Sequence, residues 1–483
     1  MESEDWSDYG CGMKIRDKVI KNICCIGCET TGLYTCCVIA NRCPSLNVSI
    51  IDLSRDKILE WNGKKVPSTE PGLDDILRKC QNKNLRFTTE TENAIIDADI
   101  IFLSLNNELK ETGHFIGMKM GKIEEMARLI CKLSETNKIV VGKTTMPVGC
   151  SHFLAYVLDQ NKQENVKFQV LSNPDFCSAG QIIEYLTCPD RVIIGSSLTS
   201  QGLAAAEVLY FIYSKWVPKE KILCVNTWSA ELGKLATNAF LAQKLATLSA
   251  LSLICEESQN VDISKILEIY AEITGNSRYL EPSFRFGGKS LHQDLLCLIF
   301  MCRELKLNEM AEYWQCVSDM NDCHMKRFKK MIMAEFYQTL LHKRIVILGF
   351  AYKKGVNKAD HSPASFLCKS LLSEGAHLII YDPKVEKRHI IAELKNVRCP
   401  NWEENVTVVD DVYKAVKKAN AIVCCTDWDE FRRLNFNGIY KIMAKPAYIF
   451  DGRKFLPHQS LMDLDFIVKT IGTNLQKKSS RKT

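Results

Sequence analysis

The chain has 483 residues, 46% hydrophobic and 25% charged, with a net charge of +6. A single core stops growing at roughly 250–300 residues, so the length predicts two or three domains, and the composition excludes a disordered, collagenous or coiled-coil chain. The Lys and Arg residues are scattered, no run approaches the roughly 18 consecutive apolar residues of a membrane span, and the opening MESEDWSDYG is acidic where a signal peptide is basic; together these predict a cytoplasmic protein with no nucleic-acid or membrane partner.

Beyond an acidic leader over 1–19, apolar runs at Asn22–Gly27, Val48–Asp52, Ile100–Leu105, Lys138–Val141 and Phe168–Leu171 alternate with amphipathic segments. That alternation predicts βαβ units and a parallel sheet over 20–226. From Trp228 to about Ala334 strand signals are few, and Ser229 reads as the N-cap of a long helix opening a helical section over 227–338. Strand-like runs return at Arg344–Phe350, His377–Asp382, Ala421–Cys425 and Ala447–Asp451, giving a second βαβ domain over 339–475 and a short basic tail over 476–483. The expected fold is α/β: two Rossmann-like doubly wound parallel-sheet domains joined by a central helical domain with one long connecting helix. Many of the 22 cysteines lie inside apolar runs (Cys24, Cys25, Cys36, Cys37, Cys424, Cys425) and read as small buried hydrophobes of a reducing compartment. Cys25 and Cys28 form a lone C-x-x-C across a strand-to-turn junction, so neither metal binding nor redox work is expected of them.

Gly27-Cys28-Glu29-Thr30-Thr31-Gly32 follows the first strand and precedes a helical run, the context of a dinucleotide-binding turn. Asp52 ends the second strand, where an acid takes the adenosine ribose hydroxyls and favours NAD over NADP. Glu29 stands where such turns carry their middle glycine, and its bulk and charge both oppose a pyrophosphate. Taken alone, the segment reads equally well as a tight βα bend.

Further strings narrow the choice: EPGL at Glu70–Leu73, T-x-P-V-G at Thr145–Gly149, LSNPDF at Leu171–Phe176, PDRVIIG at Pro189–Gly195, KLATNAFLAQK at Lys234–Lys244, FGG at Phe286–Gly288, ILGFAYKK at Ile347–Lys354 and FDGR at Phe450–Arg453. With the turn they resemble the UDP-glucose 6-dehydrogenase family from about Asn22 to about Thr473. The resemblance implies oxidation of a UDP-sugar alcohol to a carboxylate in two hydride transfers to NAD, through an aldehyde captured by a cysteine thiolate and a thioester that water hydrolyses. It implies Gly27, Glu29, Gly32, Asp52, Lys57 and Thr145 as cofactor positions. Substrate positions are Asp175, Phe176, Lys234, Asn238, Tyr279, Phe286, Gly287, Gly288, Lys354 and Arg453. Catalytic positions are Ser290, Asp175, Lys234, Asn238, Asp294 and Thr145, with Asp294 and Thr145 placing water and no metal. It also implies a dimer-based homo-oligomer, a hexamer by family, with the helical section as its dimerisation domain; a hetero-oligomer with an active paralogue is the other arrangement.

At several of these positions the chain departs from the family string. Ser290 takes the cysteine's place, and a hydroxyl is not ionised near neutrality; His292, two residues on, is the one base nearby in sequence. Gln293 replaces a lysine, Ala179 a glutamate, Thr274 an arginine and Glu281 a lysine; Asp360 stands for an arginine beside the cofactor, and Arg285 fills a glycine slot where it is expected to crowd the sugar loop. Phe176, Lys354 and Arg453 are kept. The reading that follows is a relative with impaired or lost oxidation that retains its uridine-nucleotide pocket. A working dehydrogenase, which runs one oxidation only or uses another cysteine such as Cys297, is the alternative, and a purely structural protein is a third.

Overall fold

The computed structural model describes residues 14–15, 18–28, 31–63, 66–68, 70–105, 109–112, 115–118, 120–143, 147–258, 260–275, 280–395 and 402–475. The acidic leader up to residue 13 and the tail beyond 475 lie outside them. The chain divides into two compact units, 1–237 and 238–483.

In the first unit eight strands form one sheet: β1 (Asn22–Ile26), β2 (Asn47–Ile51), β3 (Leu85–Phe87), β4 (Ile100–Leu103), β5 (Lys138–Gly142), β6 (Phe168–Ser172), β7 (Val192–Ser196) and β8 (Ile222–Asn226). Their spatial order is β8-β7-β6-β5-β4-β1-β2-β3, so six strands follow the 3-2-1-4-5-6 order of a doubly wound dinucleotide-binding sheet. All neighbours are parallel except β6 and β7, which meet antiparallel at Ser172 and Gly195. Alternate residues of β1 feed opposite faces: Ile23 and Cys25 join one core cluster, Cys24 and Ile26 the other. That two-sided burial explains a strand without a polar face. The cysteines in these runs are packed as apolar groups, and burial raises the thiol pKa of Cys24 and Cys37.

The second unit carries six parallel strands, β9 (Arg344–Leu348), β10 (His377–Tyr381), β11 (Val406–Val408), β12 (Ala421–Cys424), β13 (Tyr448–Asp451) and β14 (Ile467–Thr470), in the order β11-β10-β9-β12-β13-β14. This is again 3-2-1-4-5-6. Helices Ile263–Thr274, Lys289–Glu304 and Asn308–Glu335 fill the strand-poor middle of the chain.

Thr227–Glu257 is one continuous 31-residue helix. It begins two residues before the predicted cap. The Asn226 side chain, not that of Ser229, is the acceptor at its start, taking the Ser229 N–H at 2.8 Å. By length and a mean hydropathy of 1.3 this helix would pass as a membrane span, yet Leu235, Ala239, Ala242 and Cys255 are fully buried in the protein. In a protein core the same composition serves packing.

Candidate functional site

In the first unit, polar groups collect at the carboxyl ends of β1, β4, β5 and β6, the place where open α/β sheets bind ligands. Gly27 leaves β1 with φ +107°, and a Cβ there would lie 2.0 Å from the Ser104 carbonyl oxygen. Only glycine fits. Ser104, just past β4, also accepts the Gly32 N–H on its Oγ at 2.9 Å. Asp52 accepts the Cys28 N–H at 3.0 Å and the Cys28 thiol at 3.2 Å, while its other oxygen takes the Ser54 N–H. Cys28 is therefore a neighbour of the predicted ribose acid, a role the C-x-x-C spacing did not suggest. Lys57 lies on the helix Arg55–Trp61 that follows. Glu29 and Thr145 lie outside the described residues.

Asp175 reaches back to this turn, accepting from the Thr31 hydroxyl at the start of helix Thr31–Arg42. Lys234 is 7% exposed, and its ammonium lies 5.2 Å from the centroid of Phe176. A cation held over a ring face is attracted by the ring quadrupole. Behind them is a group with no motif to announce it: Lys143, 2% exposed, donates to Asn173 Oδ1 at 2.9 Å, as does the Tyr213 hydroxyl at 2.7 Å. Burial pulls the Lys143 ammonium pKa down, and the Asp175 carboxylate opposes the shift.

Glu231, three residues before Lys234 and 4% exposed, accepts the Gly149 and Ser151 N–H groups at 2.7 and 2.8 Å. It caps helix Cys150–Asn161 and ties the end of the T-x-P-V-G string to the long helix. Glu231→Ala is expected to lower stability in urea unfolding by about 1–2 kcal/mol, the scale of a lost helix cap. A loss near zero would mean water replaces the carboxylate.

The second unit holds the remaining positions. Asn238 Nδ2 donates to Asp294 Oδ2 at 2.5 Å, and Asp294 is 2% exposed. Ser290 is exposed at the second position of helix Lys289–Glu304, one turn before Asp294 on the same face. His292, two residues along, turns to another face, and its ring lies 6.1 Å from that of His361. Cys297 is the substitute thiol named from the sequence, and Cys177 is the residue that follows Phe176 in the first unit. Burial, with Asp294 second, pushes Cys297 up to about 12; burial, with Asp175 second, pushes Cys177 of the first unit to about 12. Both are protonated at neutral pH.

Arg453 donates to Ser283 Oγ at 2.8 Å and Asp427 Oδ1 at 3.1 Å, whereas Lys354 forms an exposed ion pair with Asp429 at 2.7 Å. Arg285 differs from the expectation that it crowds the sugar loop. Its guanidinium stacks 3.8 Å from the Phe366 centroid and pairs with Asp322 at 2.9 Å. Gly287 and Gly288 adjoin Pro363 and Tyr352, and Phe286 is buried. Thr274 ends its helix with its hydroxyl on the Tyr270 carbonyl, 2.7 Å away. Tyr279 lies outside the described residues. Among the described residues no group of three or more His, Cys, Asp or Glu could hold a metal.

Residues 21–217 match the NAD binding domain of the UDP-glucose/GDP-mannose dehydrogenase family, 228–323 its central domain and 346–458 its UDP binding domain. The chain belongs to the UDP-glucose/GDP-mannose dehydrogenase family. It is 42% identical over 462 residues to the UDP-glucose 6-dehydrogenase of Drosophila melanogaster, covering 94% of this chain and 97% of the relative. It is 41% identical over 468 residues to that of Rattus norvegicus, covering 95% and 94%. The solved structure of a UDP-glucose dehydrogenase from Pyrobaculum islandicum superposes with a TM-score of 0.81 at 22% identity, over 96% of this chain and all of that one, a likeness of fold. This dehydrogenase family member thus carries the family's NAD-binding, central and UDP-binding domains, and each sheet has the glycine turn such domains need: Gly27 against Ser104, and Gly349, at φ +88°, with a Cβ 2.5 Å from that of Thr426.

Proposed function

We propose that this protein binds a UDP-sugar of the UDP-glucose class and that its NAD-dependent oxidation of that sugar is impaired at the covalent step. The observation that carries the reading is Ser290: an exposed hydroxyl at a helix start where the resemblance places a thiolate, while Cys177 and Cys297 are held protonated by burial. Gly27, Gly32 and Asp52 fit the adenosine and phosphate end of NAD, which supplies the hydride acceptor when bound. Lys234 stabilises negative charge developing on the sugar oxygen, and Asn238 orients Asp294, whose carboxylate takes a proton from water. Aldehyde capture needs a nucleophile ionised near neutrality, and Ser290 has none of that character. Glu29 further weakens the pyrophosphate contact.

A working UDP-glucose 6-dehydrogenase is the second reading, favoured by 42% identity along 94% of the chain and by the intact Asn238 and Asp294 pair. A cytoplasmic, dimer-based oligomer belongs to either reading. Phe240, Ile254, Ile269 and Ile273 stand 60–79% exposed on helices Thr227–Glu257 and Ile263–Thr274, apolar surface that a partner would cover.

Thermal-shift titration with UDP, UDP-glucose and UDP-xylose, each with and without NAD, tests the proposal. Stabilisation by the uridine ligands with a small NAD effect is expected, and Glu29→Gly should enlarge the NAD effect. No stabilisation by any uridine ligand would overturn it.

A further inference from the structure

The loop that leads into the Ser290 helix is gripped by one side of helix Asn308–Glu335. Asn321 is 3% exposed; its Oδ1 accepts the Phe286 N–H at 2.8 Å and its Nδ2 donates to the Phe286 carbonyl at 3.1 Å. A carboxamide is the side chain that offers a donor and an acceptor side by side to the backbone N–H and C=O of one residue. The next residue, Asp322, holds Arg285. On the other side of the loop Phe284 N–H donates to the Gly452 carbonyl at 3.0 Å, and Arg453 donates to Ser283. Four consecutive residues, 283 to 286, are thus each tied to a neighbouring element.

Phe286 leads directly into residues with no slack. A Cβ on Gly287 would meet Pro363 Cδ at 2.6 Å and the His361 carbonyl oxygen at 3.0 Å. Gly288, at φ +104°, is the N-cap of helix Lys289–Glu304, which carries Ser290 and Asp294. A displaced Phe286 peptide therefore shifts the start of that helix and its polar residues together.

We infer that Asn321 is a positioning residue for UDP-sugar binding: it fixes the Phe286 peptide and, through Gly287 and Gly288, the helix start that faces the sugar. The inference rests on the proposed UDP-sugar reading. Asn321→Asp keeps shape and the acceptor but replaces the donor with an oxygen aimed at the Phe286 carbonyl.

The test is calorimetric titration of wild type and Asn321→Asp with UDP-glucose and, separately, NAD. The expected result is UDP-glucose affinity weakened by about tenfold or more, the scale of one lost buried hydrogen bond plus an unpaired oxygen, with NAD affinity unchanged. A general loss of folding would weaken both ligands. A folded Asn321→Asp protein that binds UDP-glucose as wild type does overturns the inference. Wild-type amide exchange supplies a second readout that needs no variant: the Phe286 N–H, paired to Asn321, should exchange as slowly as the sheet amides of β9 without ligand, and rapid exchange there overturns the clamp. Absence of UDP-glucose binding by wild type, with Phe286 still protected, would sink the proposed function while leaving the clamp standing.

Discussion

Ser290→Cys introduces a thiol that iodoacetamide alkylates at neutral pH about tenfold or more faster than Cys297 or Cys177 of the same protein. The position is exposed and lies in the first turn of helix Lys289–Glu304, where unpaired N–H groups and the helix dipole favour an anion and lower a thiol pKa. Cys297 and Cys177 sit at about 12, so almost none of either is thiolate near neutrality. Peptide mapping by mass spectrometry separates the introduced thiol from the exposed Cys188, Cys224, Cys316 and Cys323. UDP-glucose turnover should nevertheless rise less than about tenfold, because Ala179, Gln293 and Thr274 still lack the charges that catalysis of this kind uses and Glu29 still sets a negative charge against the pyrophosphate. Alkylation no faster than at the buried Cys297 and the half-buried Cys177 would show that the helix start does not face solvent.

Asp451→Ala should lower the stability of the second unit by about 3–5 kcal/mol, the largest effect expected of any single truncation here. Asp451 is fully buried at the end of β13. One oxygen accepts the Arg453 N–H at 3.0 Å; the other accepts the Phe455 and Leu456 N–H groups and His458 Nε2, each at 2.8 Å. Truncation strands three backbone donors in the turn that presents Arg453, so loss of UDP-sugar affinity should accompany the loss of stability. Urea unfolding followed by tryptophan fluorescence measures the first. A loss below about 1 kcal/mol would mean that the turn rearranges to satisfy its own donors.

Nine strands of the two sheets were legible as apolar runs because they are largely buried; Val192–Ser196, Ile222–Asn226 and Ile467–Thr470, though four or five residues long, were not read as strands. Leu85–Phe87 and Val406–Val408 were not, since three residues are too few to show a period. The reversal between β6 and β7 has no sequence signal either, because Val192–Ser196 is as apolar as the parallel strands of the same sheet. At the site, residues inside conspicuous strings, such as Lys234 and Asp175, could be named beforehand. Asn321 could not: on a helix with polar residues all around it, one buried amide looks like its solvated neighbours. Lys143 offered a faint clue, a lysine directly after the apolar run IVVG, but only the fold shows that Asn173 and Tyr213 close over it. The expectation for Arg285 differed for a related reason. Crowding was inferred from side-chain size, whereas Phe366 and Asp322, 81 and 37 residues away, decide where the guanidinium lies.

Under the proposed function binding and oxidation have separated in this chain, and one experiment addresses both. A single purified sample is titrated with UDP-glucose by calorimetry and then followed at the NADH absorbance with UDP-glucose and saturating NAD. The expected result is measurable UDP-glucose binding with less than about one hundredth of the NADH rate of an active relative, a deficit in transition-state stabilisation of roughly 2.7 kcal/mol. Steady formation of two NADH per UDP-glucose at a rate like that of active relatives would contradict it.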